Sequence, residues 1–112
     1  MQITNSWNFR PAICSGEKTS SELIYTGSCA VTAIVAITNG SNDATLIVYD
    51  NLSAAGKVIR EFTIVAAENY GGNILKFPIY IQNGIYASIS GTGASYIIDY
   101  IPLKNPNHIP EE

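Results

Sequence analysis

The chain has 112 residues, a formal net charge of −3, 46% hydrophobic residues and only 13% charged residues. This length suits one domain with a single hydrophobic core. The six Lys and Arg residues are scattered singly along the chain. A nucleic-acid-binding surface needs clustered positive charge, so no direct contact with nucleic acid is expected. No apolar run approaches the length that a membrane-spanning helix needs, so no contact with a membrane is expected either.

The N-terminal segment, residues 1–28, is predicted to be an extended arm followed by the first strand or strands. Trp7 and Phe9 alternate with polar residues, and Pro11 interrupts the pattern, as is usual in an edge or entry segment. The beginning of the chain lacks the basic start and apolar centre of a signal peptide. We therefore expect a protein made in the cytoplasm, or one whose leader has been removed.

A candidate strand follows at Thr19 to Thr26, with Leu23 and Tyr25 expected on one face. Gly27 and Ser28 form a short break before the central run. The alternative is one long bent strand from Thr19 to Thr38 with Gly27 at the bend.

The central run, Cys29 to Val65, contains three segments rich in Val, Ile and Thr separated by two polar turns. Branched side chains of this kind favour strands over helices. The pattern predicts a β-meander. In its third strand, Val58, Phe62 and Ile64 are expected on one face, and Ile59 on the other.

The C-terminal half is predicted to hold three more strands. Pro78 places the first of them, Ile74 to Ile81, at an edge or at a local bulge. Asn83-Gly84 is a strong hairpin signal, and it is followed by an alternating segment, Ile85 to Ser90, with Ile85, Ala87 and Ile89 expected inward. The last strand, Ala94 to Ile101, has large side chains on both faces, which indicates that both faces are covered.

Turn signals recur roughly every 10–20 residues, without helical periodicity, which indicates an all-β fold. We predict an antiparallel β-sandwich or jelly-roll of about seven or eight strands with extended N- and C-terminal arms. Residues 1–28 would form the arm and first strands, residues 29–102 the β-sandwich core and residues 103–112 a Pro-rich tail, all within one domain.

Catalytic chemistry has little support in the sequence, so no enzyme activity, cofactor or metal is expected. The single histidine, His108, lies in the Pro-rich tail, where no rigid element would hold it near a substrate. Asp50 and Asp99 could in principle meet across a cleft, but a turn role for Asp50 and an ordinary strand position for Asp99 are favoured. Cys14 and Cys29 could pair; without a secretion signal we expect free thiols.

Two phrases of the sequence carry a family resemblance: TNGSNDATLIVYDNLSAAGKVI (Thr38 to Ile59) and FPIYIQNGIYASISGTGASYIIDYIP (Phe77 to Pro102). In their order and turn residues they resemble a group of small virion proteins of tailed bacteriophages. The resemblance covers roughly Cys29 to Pro102. It implies a β-sandwich or jelly-roll protein of the phage particle, assembled in the host cytoplasm, and no active-site residues.

The resemblance also implies a role and partners. The expected role is capsid decoration, or cement: trimers or similar clusters that bind the major capsid protein, or other virion proteins, and stabilise the head shell. Aromatic residues often dominate interface energy, so the candidate interface residues are Trp7, Phe9, Tyr86, Tyr96 and Tyr100. The alternative is a virion fibre or a lectin-like module that stacks sugars on exposed tyrosines such as Tyr70, Tyr86 or Tyr96.

Overall fold

The computed structural model describes residues 11–103, and their regular structure is almost entirely β-strand. The strands are β1 Ile13–Cys14, β2 Glu22–Thr26, β3 Cys29–Ile37, β4 Ala44–Asp50, β5 Lys57–Ile64, β6 Tyr70–Ile81, β7 Gly84–Ser90 and β8 Ser95–Pro102. A 3-10 turn, Ala66–Glu68, joins β5 to β6. The all-β prediction is therefore confirmed.

The strands form two four-stranded sheets in which every neighbouring pair is antiparallel. Sheet A has the order β1-β8-β3-β6, and sheet B has the order β2-β7-β4-β5. Only β4 and β5 are both consecutive in the chain and paired with each other. Every other connection between the described strands passes from one sheet to the other.

This topology corrects two predictions about strand pairing. The β-meander is wrong for β3 and β4, which lie in different sheets, although β4 and β5 do form a hairpin. The turn at Asn83-Gly84 does not close a hairpin either, because β6 belongs to sheet A and β7 to sheet B. Turn residues mark where the chain reverses, but they do not determine which strand supplies the hydrogen bonds on the far side.

The hydrophobic core lies between the two sheets. Sheet A contributes side chains from its two central strands, β3 and β8, among them Val31, Ile34 and Ile98; sheet B contributes Leu46 and Ile85 from β4 and β7. All five are at most 2% exposed. Burial of this kind stabilises a domain by about 25 cal/mol for each Å² of apolar area removed from water.

Two β-bulges change the faces that simple alternation predicts. In β5, Arg60 pairs with Val48 and Val58 pairs with Tyr49, so Ile59 is an extra residue without a partner of its own. Ile59 is buried, as is Ile64, whereas Val58 is 45% exposed, so Ile59 and not Val58 shares the face of Phe62 and Ile64. A bulge shifts the alternation by one residue, so every position before it changes face. A similar irregularity at Ile24 of β2 separates Leu23 from Tyr25.

Strand β6 has a larger irregularity around its proline. Val31 of β3 pairs with Ile79, and Ala33, only two residues further, pairs with Ile74. The four residues 75–78 therefore leave the regular ladder. Pro78 cannot donate a backbone hydrogen bond, so an edge strand with a bulge accommodates it. Both options that the sequence suggested for Pro78 are thus present, since β6 is also an edge strand of sheet A.

Candidate functional site

The surface feature that stands out is a row of large exposed side chains along β6. Tyr70 is 68% exposed, Ile74 91%, Phe77 78% and Tyr80 54%. These four residues are called the β6 strip below. Single exposed apolar residues are ordinary on protein surfaces, but several in a row on one strand indicate an interaction surface.

The register of β6 against β3 explains why three of these side chains face outward. Tyr70 lies opposite Ile37, Ile74 opposite Ala33, and Tyr80 opposite Ala30. Their β3 partners alternate with buried residues of that strand, so the facing β6 side chains point away from the core. Phe77 lies in the bulge of residues 75–78. The β6 strip is thus a consequence of the strand register together with the irregularity at the proline.

The rest of the outer face of sheet A is also apolar, because Val35, Ile37, Ile97 and Ile101 point to the same side. Each of them is partly buried. Asp99 lies between the buried residues Ile98 and Tyr100 of β8, so its side chain points to the outer face. It is the one acidic side chain that β3, β6 and β8 place on this face. Its Oδ1 atom is buried and accepts no hydrogen bond from any residue that the structure describes. An unpaired buried carboxylate oxygen is costly unless a donor reaches it.

The outer face of sheet B is different in character. The hydroxyl groups of Thr45 and Thr63 are 2.9 Å apart across β4 and β5, and Ser88 and Ser90 of β7 lie on the same side. Such hydroxyl-rich rows are typical of a sheet face in contact with water. The outer face of sheet B is therefore mixed, because an apolar row also crosses its four strands at Leu23, Tyr86, Tyr49 and Val58. The outer face of sheet A is mainly apolar.

The four edge strands also differ in charge. The β5 edge has Lys57, Arg60 and Glu61 as well as a bulge, and the β2 edge has Glu22, whose carboxylate lies 3.6 Å from the Lys18 ammonium. Charged residues and bulges are devices that keep sheet edges from pairing with other chains. β6 is 12 residues long and has one charged residue, Lys76. The β1 edge has only two strand residues, and segment 15–18 continues along β8 beside it.

The structure describes three of the five sequence-predicted interface residues, and it places them in different environments. Tyr96 and Tyr100 are core residues, 0% and 7% exposed, so within this fold their side chains offer almost no surface to a partner. The Tyr96 hydroxyl donates a 2.8 Å hydrogen bond to the Ser20 carbonyl, and the Tyr100 ring packs 5.1 Å from the Tyr25 ring. Tyrosine on the inward side of a strand is buried like any other large side chain once its hydroxyl finds an acceptor.

Tyr86 remains partly exposed, on the outer face of sheet B. Its ring makes an edge-on contact with Tyr49, with centroids 6.4 Å apart. Trp7 and Phe9 lie outside the described residues, as does His108. The β6 strip was not among the predicted interface residues, although the apolar residues on both sides of Pro78 were a signal for it.

Asp50 and Asp99, the two carboxylates that could meet across a cleft, lie in different sheets. Asp50, at the end of β4, accepts hydrogen bonds from the backbone amides of Gln82 and Asn83, at 3.0 and 2.9 Å. It thereby ties the β6–β7 connection to sheet B, whereas Asp99 lies in sheet A. Within residues 11–103, no group of three or more His, Cys, Asp or Glu residues is arranged to hold a metal ion.

The two cysteines are both free thiols, Cys14 exposed and Cys29 buried. Burial raises the pKa of the Cys29 thiol from 9.0 to about 12, and the nearby Asp50 carboxylate adds to the rise. Burial also raises the pKa of the Tyr96 and Tyr100 hydroxyls above 10.0. All three groups are therefore held neutral inside the fold.

These raised pKa values predict that the fold is destabilised by alkali. Above about pH 9 the unfolded chain loses the Cys29 proton while the folded chain keeps it, so the free energy of unfolding falls as the pH rises. We expect the guanidinium chloride midpoint to be lower at pH 10.5 than at pH 8. In a Cys29→Val variant this difference should be smaller. An equal difference in both proteins would show that Cys29 does not contribute.

Comparison with protein-family models, with curated proteins and with solved structures finds no match to this chain. None of the helical structure in residues 11–103 is long and apolar enough to cross a membrane.

Proposed function

We propose that this chain is a non-enzymatic structural protein of a bacteriophage particle, a capsid decoration or cement protein that binds the head shell and stabilises it. The observation that carries the proposal is the β6 strip. A row of Tyr, Ile and Phe side chains that are 54–91% exposed lowers its free energy when another protein surface covers it. The resemblance of Cys29 to Pro102 to small virion proteins indicates that this contact forms within a phage particle, where such proteins contact copies of themselves as well as the shell.

The strand order supports a jelly-roll as the specific fold. A jelly-roll has eight strands in two four-stranded antiparallel sheets, and its chain passes repeatedly between them. The orders β1-β8-β3-β6 and β2-β7-β4-β5, with one hairpin between β4 and β5, correspond to this arrangement. Jelly-rolls recur in viral capsid proteins and in lectins, so the fold is compatible with a virion role but does not select it.

The positions of the tyrosines favour attachment to a protein over attachment to a sugar. A lectin-like site would bring tyrosines together around one cleft. Tyr70 lies on the β6 edge of sheet A, Tyr86 on the outer face of sheet B, and Tyr96 in the core. These three side chains belong to three separate regions, so they do not form one sugar-stacking surface.

The proposal is tested with head shells that lack the protein. Purified chain and undecorated shells are mixed, sedimented together, and the bound protein is measured against its concentration. We expect saturable binding at a fixed number of copies per shell. A Trp7→Ala/Phe9→Ala double variant should bind more weakly while its circular dichroism spectrum stays unchanged, because aromatic anchors dominate many interfaces.

Two results would count against this function. Absence of binding to shells, together with binding to a defined sugar on a glycan array, would favour the lectin-like alternative. Loss of folding in the double variant would place Trp7 and Phe9 in a structural role and remove them as attachment residues.

A further inference from the structure

We infer that the β6 edge pairs with a second copy of this chain, with two β6 strands hydrogen-bonded edge to edge about a two-fold axis and the strip side chains of the two copies side by side. The inference deepens the proposed function. It rests on that function only for the place where the dimer acts, which is the capsid shell. Its evidence, however, comes from the fold alone, and its test needs no shell.

The first argument is that residues 70–74 of β6 form an edge segment without a charged residue, a proline or a bulge. Lys76, Pro78 and the bulge at residues 75–78 protect only the second half of the strand. The edges at β2 and β5 combine bulges with Glu22, Lys57, Arg60 and Glu61. An unprotected edge presents unpaired backbone N–H and C=O groups to any strand that approaches it. In β6 those groups lie beside the apolar side chains of the strip, so main-chain pairing and apolar contact favour the same surface.

The second argument is the regularity of the first half of β6. Residues 70–74 pair one-to-one with residues 33–37 of β3, without a break. Their backbone is therefore extended and straight on the opposite side as well, where a partner strand would add. The irregularity at residues 75–78 ends this stretch. We expect pairing of residues 70–74 with the same residues of the second copy, and contact of Phe77 and Tyr80 beyond it.

The third argument is area. A large side chain contributes roughly 150–250 Å² when it is fully buried. The exposed fractions of the four strip residues together correspond to about three such side chains, or about 450–750 Å² per copy. The strips of two copies together expose about 900–1,500 Å², which is the upper limit of the side-chain area that pairing can bury. Edge pairing covers the flanks of these side chains and leaves their outer surfaces exposed, so the dimer depends on main-chain hydrogen bonds as well as on apolar contact.

The fourth argument concerns symmetry and charge. Antiparallel pairing of two identical strands is isologous, so one unprotected edge suffices. A cyclic trimer needs two different complementary patches, and the other long edges are charged. β6 itself has the single charge of Lys76, so two copies of the strip approach each other with little repulsion although each chain has a net charge of −3. A dimer is therefore favoured over the trimer that the resemblance implied.

The test compares two lysine substitutions on sheet edges by gel filtration with light scattering. Wild-type chain at about 50 μM should have twice the monomer mass of 12.1 kDa. Ile74→Lys should shift the mass to that of the monomer, with dimerisation weakened at least about 100-fold, because a lysine on a sheet edge opposes pairing with another strand. Val58→Lys on the β5 edge is the matched control and should remain dimeric, since Val58 is also an exposed edge residue.

Hydrogen exchange distinguishes strand pairing from side-chain contact alone. In the dimer, some backbone amides of residues 70–74 should exchange more slowly at high protein concentration than at low concentration. Circular dichroism checks that Ile74→Lys is folded; Phe77→Ser, at a residue that is 78% exposed, is the second variant if it is not.

Several outcomes would overturn the inference: a wild-type monomer at 200 μM, a trimer, a dimer that persists in both strip variants, or exchange at residues 70–74 that does not depend on concentration. Failure of the proposed function looks different. A wild-type dimer that depends on Ile74 but does not bind undecorated shells would support the dimer and count against the capsid role.

Discussion

Replacement of Gly72 by alanine is expected to lower the free energy of unfolding by about 3–5 kcal/mol, a large part of the stability of a small domain. Gly72 lies in β6 opposite Val35, with a φ of +156°. A Cβ atom there would lie 2.1 Å from the Ile34 carbonyl oxygen and 2.6 Å from the Val35 Cα. Both atoms belong to the backbone of the central strand β3, so the two strands must separate to make room.

Gly16 provides the matched control. It also has a positive φ, +77°, but a Cβ atom at this position would meet nothing within 4 Å. Gly16→Ala therefore tests conformational strain without a clash, and we expect a loss of about 1 kcal/mol. Denaturant titration of the three proteins measures the comparison. Equal losses in the two variants would show that β6 does not approach β3 as closely as described.

Replacement of Asp50 by alanine is expected to be the most damaging change among the acidic residues, with a loss of about 2–4 kcal/mol. The Asp50 carboxylate accepts the backbone amides of Gln82 and Asn83 where the chain passes from sheet A to sheet B. Asp50 is only 9% exposed, so water cannot easily replace the lost acceptor. Two N–H donors would then remain without partners, and unsatisfied buried donors cost more than the net gain of a hydrogen bond.

Asp43→Ala is the control for this prediction. Asp43 also accepts a backbone amide, that of Ala66 at 2.9 Å, but in an exposed position where water can take its place. We expect a loss of under about 1 kcal/mol for Asp43→Ala, and a fall in Tm of roughly 10 °C or more for Asp50→Ala. Similar Tm values for the two variants would contradict the role assigned to Asp50 in the β6–β7 connection.

The positions of the strands could largely be predicted from the sequence because Val, Ile and Thr segments alternate with turn residues. The inward residues of β7, Ile85, Ala87 and Ile89, follow simple alternation and were predicted correctly. The faces of β5 were not, because the bulge at Ile59 has no distinctive sequence signal. One extra residue is enough to exchange the buried and exposed positions of Ile59 and Val58.

Strand partners were harder to predict than strand positions. The turns at residues 39–43 and 82–84 both resemble hairpin turns, yet each carries the chain to the other sheet. Pairing depends on contacts between residues far apart in the sequence, such as those of β3 with β8, and local turn chemistry does not encode them. The same limit explains Tyr96 and Tyr100: their aromatic chemistry suits an interface, but their place on the inward face of β8 buries them.

The β6 strip was missed for a related reason. Ile74, Phe77 and Tyr80 are typical core residues in composition, and only the edge position of β6 leaves them exposed. Pro78 indicated an edge, but the sequence does not show which side of that edge is uncovered. Exposure of this kind is a property of the sheet order.

The measurement that tests the capsid role most directly is the heat stability of undecorated head shells with and without the purified chain. The shells are heated, and a fluorescent dye detects the packaged DNA that they release. The account predicts that release moves to higher temperature and that the shift saturates at the same number of bound copies as sedimentation gives. An unchanged release temperature at saturating protein would contradict a stabilising role on the shell.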